Sequence, residues 1–175
     1  MRNDKNLTVA QTFNLAVKNH QEGKTDIALE LYNQVLKITP NHAQALNNIA
    51  IIFVNLNENQ NAKDCYEKAI KINPNYADAH NNLGVIFEKI KDYQKAKDCF
   101  EKAIEINPNY ANAHNNLGNI FKKLEEYQKA KDCFDKLISF KPNYANAHNN
   151  LGVIFKELGE IEKAKECYEK AIIIN

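Results

Sequence analysis

The chain has 175 residues, 44% of them hydrophobic and 26% charged, with a formal net charge of +1. That balance supplies no long-range field to gather nucleic acid or an anionic membrane, and no run of about 18 apolar residues is present to span a bilayer. Neither nucleic acid nor membrane is expected as a partner, and a first segment "MRNDKNLTVAQTFNLAVKNH" without the apolar core of a secretion signal makes a cytoplasmic location the default.

A single period organises the sequence. Adjacent asparagines occur at Asn47 and Asn48, Asn81 and Asn82, Asn115 and Asn116, and Asn149 and Asn150, always 34 residues on. Pro40, Pro74, Pro108 and Pro142 keep the same step, as do Cys65, Cys99, Cys133 and Cys167. A fixed period of about 20–50 residues signals a repeat array in which each unit buries its apolar face against its neighbours. Equivalent residues on stacked helices stand at least about 8–10 Å apart, too far for a disulfide, so the cysteines are expected as reduced, buried thiols. The same spacing argues against His80, His114 and His148 meeting at one metal ion, and neither a metal nor another cofactor is expected.

Within one period, residues 77 to 108, Leu83, Ile86, Phe87 and Ile90 fall at helical spacing, which predicts a first helix of about fourteen residues. "KDY" at Lys91 to Tyr93 interrupts it, and Ala96, Cys99, Phe100, Ala103, Ile104 and Ile106 mark a second helix. The two form an antiparallel hairpin. Asn107 and Pro108 end the second helix, because the residue before proline is driven out of helical geometry, and Asn109 is placed to cap the next one. Asp64 with Lys68, Asp98 with Lys102, Asp132 with Lys136 and Glu166 with Lys170 set an acid four residues before a base, a pattern that supports a solvated helix face.

This skeleton resembles the tetratricopeptide repeat family, a 34-residue helix-turn-helix unit with small and large residues at fixed places. Leu83, Gly84, Phe87, Ala96, Phe100, Ala103 and Pro108 stand at the family positions in one unit, and Leu117, Gly118, Phe121, Ala130, Phe134 and Pro142 in the next. The resemblance implies an all-α solenoid of five such repeats forming a right-handed superhelix. In chain order these are an N-terminal extension at 1–8 and repeats at 9–42, 43–76, 77–110, 111–144 and 145–175. The first repeat departs from the skeleton with Ala16 for glycine and Asn19 for an aromatic residue, as a terminal unit would. Leu137 replaces alanine in the fourth, and His80, His114 and His148 replace the first aromatic residue, where they are expected to pack between helices.

In the family the first helices line a concave groove that holds extended peptides. By resemblance the groove positions of one unit are Asp78, Asn81, Asn82, Val85, Glu88 and Lys89. The series Asn14, Asn48, Asn82, Asn116 and Asn150 is similar to the asparagine ladder in the repeat region of the O-linked N-acetylglucosamine transferases, which grips peptide backbone. A primary amide offers both donor and acceptor, matching a peptide's C=O and N–H. Asn47, Asn81, Asn115, Asn149 and Asn119 join the expected site, and Lys122, Lys123 and Lys156 make the C-terminal half of the groove basic, with a preference for acidic segments. The competing reading is that the amides hydrogen-bond between adjacent repeats. If instead they face a ligand, alanine at Asn82 and Asn116 would leave the free protein equally stable.

The lysine and arginine clamp of co-chaperone repeats is absent, with Asn47, Asn81 and Asn115 in place of its first lysine. The period of 34 and the near-neutral charge also disfavour RNA binding of the 35-residue pentatricopeptide kind. No carboxylate, serine or thiol recurs beside the histidines in a way that would support catalysis, so the chain is not expected to be an enzyme. The expected function is a protein-protein interaction module for unstructured or extended protein segments; the alternatives are the recognition arm of a larger glycosyl- or sulfo-transferase, or a self-assembling scaffold. Ile172 and Ile174 near the C-terminus predict end-to-end homo-oligomers, or else truncation from a longer array, because solenoid ends need a polar cap.

Overall fold

The computed structural model describes residues 7–174, and among them every regular element is an α-helix. The helices are α1 (Val9–Gln21), α2 (Thr25–Ile38), α3 (Ala43–Asn55), α4 (Asn59–Ile72), α5 (Ala77–Lys89), α6 (Tyr93–Ile106), α7 (Ala111–Lys123), α8 (Tyr127–Phe140), α9 (Ala145–Glu157) and α10 (Ile161–Ile174). They form consecutive helix-turn-helix hairpins, with α1, α3, α5, α7 and α9 starting 34 residues apart. Residues 1–6 of the N-terminal extension lie outside the described residues. Thr8 is described, and it closes a capping box on α1: its Oγ1 accepts from the Gln11 N–H at 3.2 Å while its own N–H donates to Gln11 Oε1 at 2.9 Å.

Two compact units divide the chain, one ending at Ala79 and the other beginning at His80, inside α5. In the first, Ala16, Ala28, Tyr32, Val35, Ala45, Ile49 and Ile52 form one buried cluster that draws on α1, α2 and α3. A second cluster in the same unit gathers Leu46, Ala69 and Ala79. In the second unit Ile86, Phe100, Ala103, Leu117, Ile120, Phe134, Leu137 and Ile154 are buried. Each large side chain so buried contributes about 1.5–3 kcal/mol relative to exposure.

The small residue of each first helix has a steric reason. A Cβ on Gly84 would lie 2.6 Å from Phe100 Cε1, one on Gly118 2.7 Å from Phe134 Cζ, and one on Gly152 2.5 Å from Tyr168 Cε1. Inside each hairpin the chain reverses in three residues, and the middle one takes a positive φ: Gly23 (74°), Asn57 (62°), Lys91 (63°), Glu125 (59°) and Gly159 (76°). Ile90 therefore leaves the apolar stripe predicted for the first helix and is exposed in the turn.

Two local expectations are corrected. Asn107, not Asn109, makes the capping turn, its Oδ1 accepting from the Asn109 N–H at 3.3 Å, and Asn73 does the same for the Asn75 N–H at 3.2 Å. An asparagine side chain reaches a backbone N–H two residues on more readily than it spans a proline turn to the next helix. Nor do the acid-base pairs close: Asp64, Asp98 and Asp132 accept instead from Gln60, Gln94 and Gln128 at 2.7, 2.7 and 2.8 Å. Neighbouring lysines pair in the reverse order, as in Lys131 with Asp135 at 2.7 Å.

Candidate peptide-binding face

The asparagine pairs stand at the fifth and sixth residues of the first helices. Helix geometry turns the fifth residue toward the neighbouring helix, and Asn47 and Asn81 are only 4% and 5% exposed, while Asn48 and Asn82 are half-buried. Burial of an amide demands partners. In the first unit Asn47 Nδ2 donates to Asn48 Oδ1 at 3.2 Å, and Asn48 Nδ2 donates to the Tyr32 hydroxyl at 3.1 Å. Burial raises the pKa of Tyr32, and the Asn48 contact opposes that shift.

In the second unit the amides link successive first helices. Asn116 Nδ2 of α7 donates to Asn81 Oδ1 of α5 at 3.0 Å, and Asn81 Nδ2 donates to Asn82 Oδ1 at 3.3 Å. Asn116 thus serves the fold as well as any ligand, and its replacement would strand a buried oxygen. The link is not repeated one step on. Asn150 Oδ1 of α9 accepts from Lys122 Nζ of α7 at 2.6 Å, and the Oδ1 of Asn115, the counterpart of Asn81, is buried with no donor among the described residues.

The remaining expected site residues take different environments. Asn14, Asn149 and Lys156 are exposed, and Asn119 and Lys122 are half-buried. Lys122 has its pKa lowered, first by burial and then by the adjacent Lys123. Lys123 adds little to the basic character expected here, because Glu88 of α5 holds it at 2.7 Å. That pairing escaped the sequence reading, although Glu88 and Lys123 are one step plus one residue apart and of opposite charge. The Tyr32–Asn48 bond had no comparable signal, since no tyrosine hydroxyl is tied to the amides by motif.

The histidines pack as expected where their contacts are described. His114 Nε2 lies 2.9 Å from the Pro108 carbonyl and His148 Nε2 2.8 Å from that of Pro142, each ring tying a first helix to the turn before it. The thiols form no disulfide and are half-buried rather than fully buried as expected, and burial pushes the Cys133 pKa up to about 12, which suppresses thiolate chemistry there. Among the described residues, no helix is long and apolar enough to cross a membrane.

Comparison with known proteins follows the same lines. The tetratricopeptide repeat profile matches residues 77–110, 111–144 and 145–175, and a TPR repeat profile matches 52–91. The chain belongs to the tetratricopeptide repeat family of protein-interaction modules. No curated protein matches it. Among solved structures it is similar to MamA, with 27% identity, a TM-score of 0.81 and coverage of 91% of this chain and 93% of that one. It is also similar to YrrB, described as a TPR protein with an unusual peptide-binding site, with 25% identity, a TM-score of 0.77 and coverage of 96% and 87%. The pilF protein of Pseudomonas aeruginosa shares the fold, with 22% identity, a TM-score of 0.88 and coverage of 95% and 76%.

Proposed function

We propose that the chain binds extended protein segments, and that in the second unit the face carrying Asn116 and Asn150 contacts their backbone. The observation that carries this reading is the state of the Asn116 amide. One N–H is committed to Asn81, while the other N–H and the oxygen meet no partner among the described residues, so the group can still accept from one peptide unit and donate to another. Asn150 keeps its N–H pair in the same way, with only its oxygen committed to Lys122. The similarity to YrrB, described as a TPR protein with an unusual peptide-binding site, supports a peptide-binding role for the chain.

Backbone recognition has a direct test. A blocked, unstructured neutral peptide and its scrambled form should bind with similar, micromolar or weaker affinity, because recurring amides do not read side chains. Methylating alternate backbone nitrogens should abolish binding by removing the N–H donors. A methylated peptide that binds as well as its parent would rule the mechanism out.

A second reading, self-association through the C-terminal end, is favoured by one substitution along the period. The position of Ile173 is held by Lys37, Lys71, Glu105 and Ser139 in the other hairpins, and Ile173 and its neighbour Ile172 are 83% and 74% exposed. At the other end, Leu15 of α1 is 38% exposed although its counterpart Ile49 is 3% exposed beneath the preceding hairpin. Docking α1 of a second copy on α10 would repeat the contact that α8 makes with α9. Sedimentation across a range of concentrations tests it, with a strict monomer as the opposing result.

A further inference from the structure

We propose that a second copy of the chain covers the exposed face of α10 by setting its own α10 antiparallel against it about a two-fold axis, an inference that rests on the self-association reading and names the surfaces that meet. The face is defined by comparison with α8, which packs against α9. Ile161, Lys165, Tyr168 and Ile172 stand where α8 has Tyr127, Lys131, Phe134 and Ile138. Their spacing of i, i+4, i+7 and i+11 puts them along one side of the helix. Phe134 is buried and Tyr127 and Ile138 are half-buried, whereas Ile161 and Ile172 are 60% and 74% exposed. That difference marks the stripe as the side which, in α8, a following helix covers. Ile161, Ala164, Tyr168 and Ile172 line a shallow apolar slot of about 300 Å³.

A second copy offers two occupants for this slot, and side chains decide between them. Docking of α1 supplies the right kind of backbone contact but not the residues. Gln11 stands where α3, α7 and α9 have Ala45, Ala113 and Ala147, and Lys18 where they have Ile52, Ile120 and Ile154, all of them buried. The Lys18 side chain is 71% exposed and lies 3.9 Å from Glu22. Placing α1 on α10 would drive that ammonium into a position built for isoleucine, and burial of Leu15 alone does not offset the loss of its water.

The helix α10 is its own complement. Antiparallel pairing with the axis beside Glu166 and Cys167 sets Ile161 of each copy against Ile172 of the other, at the two ends of a contact about 16 Å long. Between them Lys165 falls opposite Tyr168 and Glu169 of the other copy. The lysine stem lies on the tyrosine ring and its ammonium reaches the carboxylate. Within one copy the Lys165 and Glu169 side chains are 69% and 59% exposed and 4.0 Å apart, so each can take a closer partner. A parallel arrangement would instead oppose lysine to lysine and glutamate to glutamate. Because the same patch serves both copies, the contact closes on itself and assembly stops at the dimer.

Charge exchange between copies of the full chain tests the pairing. Lys165→Glu and Glu169→Lys each set like charges against one another across the axis, so each variant alone should dimerise about tenfold more weakly than the parent in sedimentation, with an unchanged helical signal. Mixed in equal amounts, the two variants should regain the parent's affinity. The introduced glutamate then meets the introduced lysine, and the native Lys165 of one copy keeps the native Glu169 of the other. The parent itself should reach a dimer and nothing larger as concentration rises. A mixture no tighter than its components overturns the two-fold pairing while leaving self-association standing. So does a parent series that grows past the dimer, which is the signature of α1 docking on α10. A parent that stays monomeric throughout overturns both readings.

Discussion

Asn81 and Asn115 are the same residue at the same place in successive hairpins, and their oxygens differ in having a donor. Replacing Asn81 with alanine removes an acceptor from Asn116 and a donor from Asn82, and should cost about 1–3 kcal/mol in urea unfolding. Asn115→Ala removes an oxygen that had no partner and installs a better helix former, by as much as about 0.7 kcal/mol, so the free protein should be as stable or slightly more so. Equal losses for the two variants would contradict the difference seen between their environments. A titration follows from Lys122, whose folded-state pKa lies below the unfolded value. The unfolded chain holds the proton more tightly, so the charge destabilises the fold at neutral pH and the penalty fades as pH rises through the lowered pKa toward about 10.5. Lys122→Met should therefore be more stable than the parent at pH 7, with the gap narrowing in melts at alkaline pH.

At the scale of the element, the turns centred on Lys91 and Glu125 are sources of strain that sequence replacement can release. Lys91 and Glu125 hold positive φ where Gly23 and Gly159 take the same conformation without a Cβ. Lys91→Gly and Glu125→Gly should each raise stability by about 0.5–1 kcal/mol, the left-handed penalty less the extra chain entropy of glycine, in thermal melts. The contact at Gly118 runs the other way. Alanine there presses a methyl against Phe134, and the overpacking of about 1–3 kcal/mol exceeds the propensity gain of about 1 kcal/mol. Shrinking Phe134 to leucine should make the double variant lose less than the sum of its parts. These hairpins were legible in the sequence because turn, proline and small-residue signals recur at one interval, so each repeat corroborates the next. Even the positive φ at Asn57 and Glu125 could be read by stepping 34 residues from Gly23 and Gly159, and that at Lys91 by two such steps. The candidate face was legible only in composition. The asparagines were visible, but which of them bond to one another depends on how each amide turns, and no periodic pattern encodes the Lys122–Asn150 bond.

For the molecule as a whole, the proposed self-association through α10 can be tested at its exposed isoleucines. Ile172→Lys with Ile173→Glu should restore the polar character that Lys37, Lys71, Glu105 and Ser139 give the other hairpins at the second of these positions. Sedimentation should then show dissociation to monomers at concentrations where the parent associates, with the helical signal unchanged. Persistence of the larger species would place the contact elsewhere.

The junction between hairpins carries a consequence for how such a gene can change. Tyr76 precedes Ala77, Tyr110 precedes Ala111 and Tyr144 precedes Ala145, so excision of residues 111–144 would join Tyr110 to Ala145 and recreate a junction the chain already uses. Unequal recombination between such similar stretches of coding sequence can thus lengthen or shorten the array without an intermediate that fails to fold. Asn119, however, occurs at its position in only one of the hairpins, and the excision that spares the architecture would delete it together with Lys122.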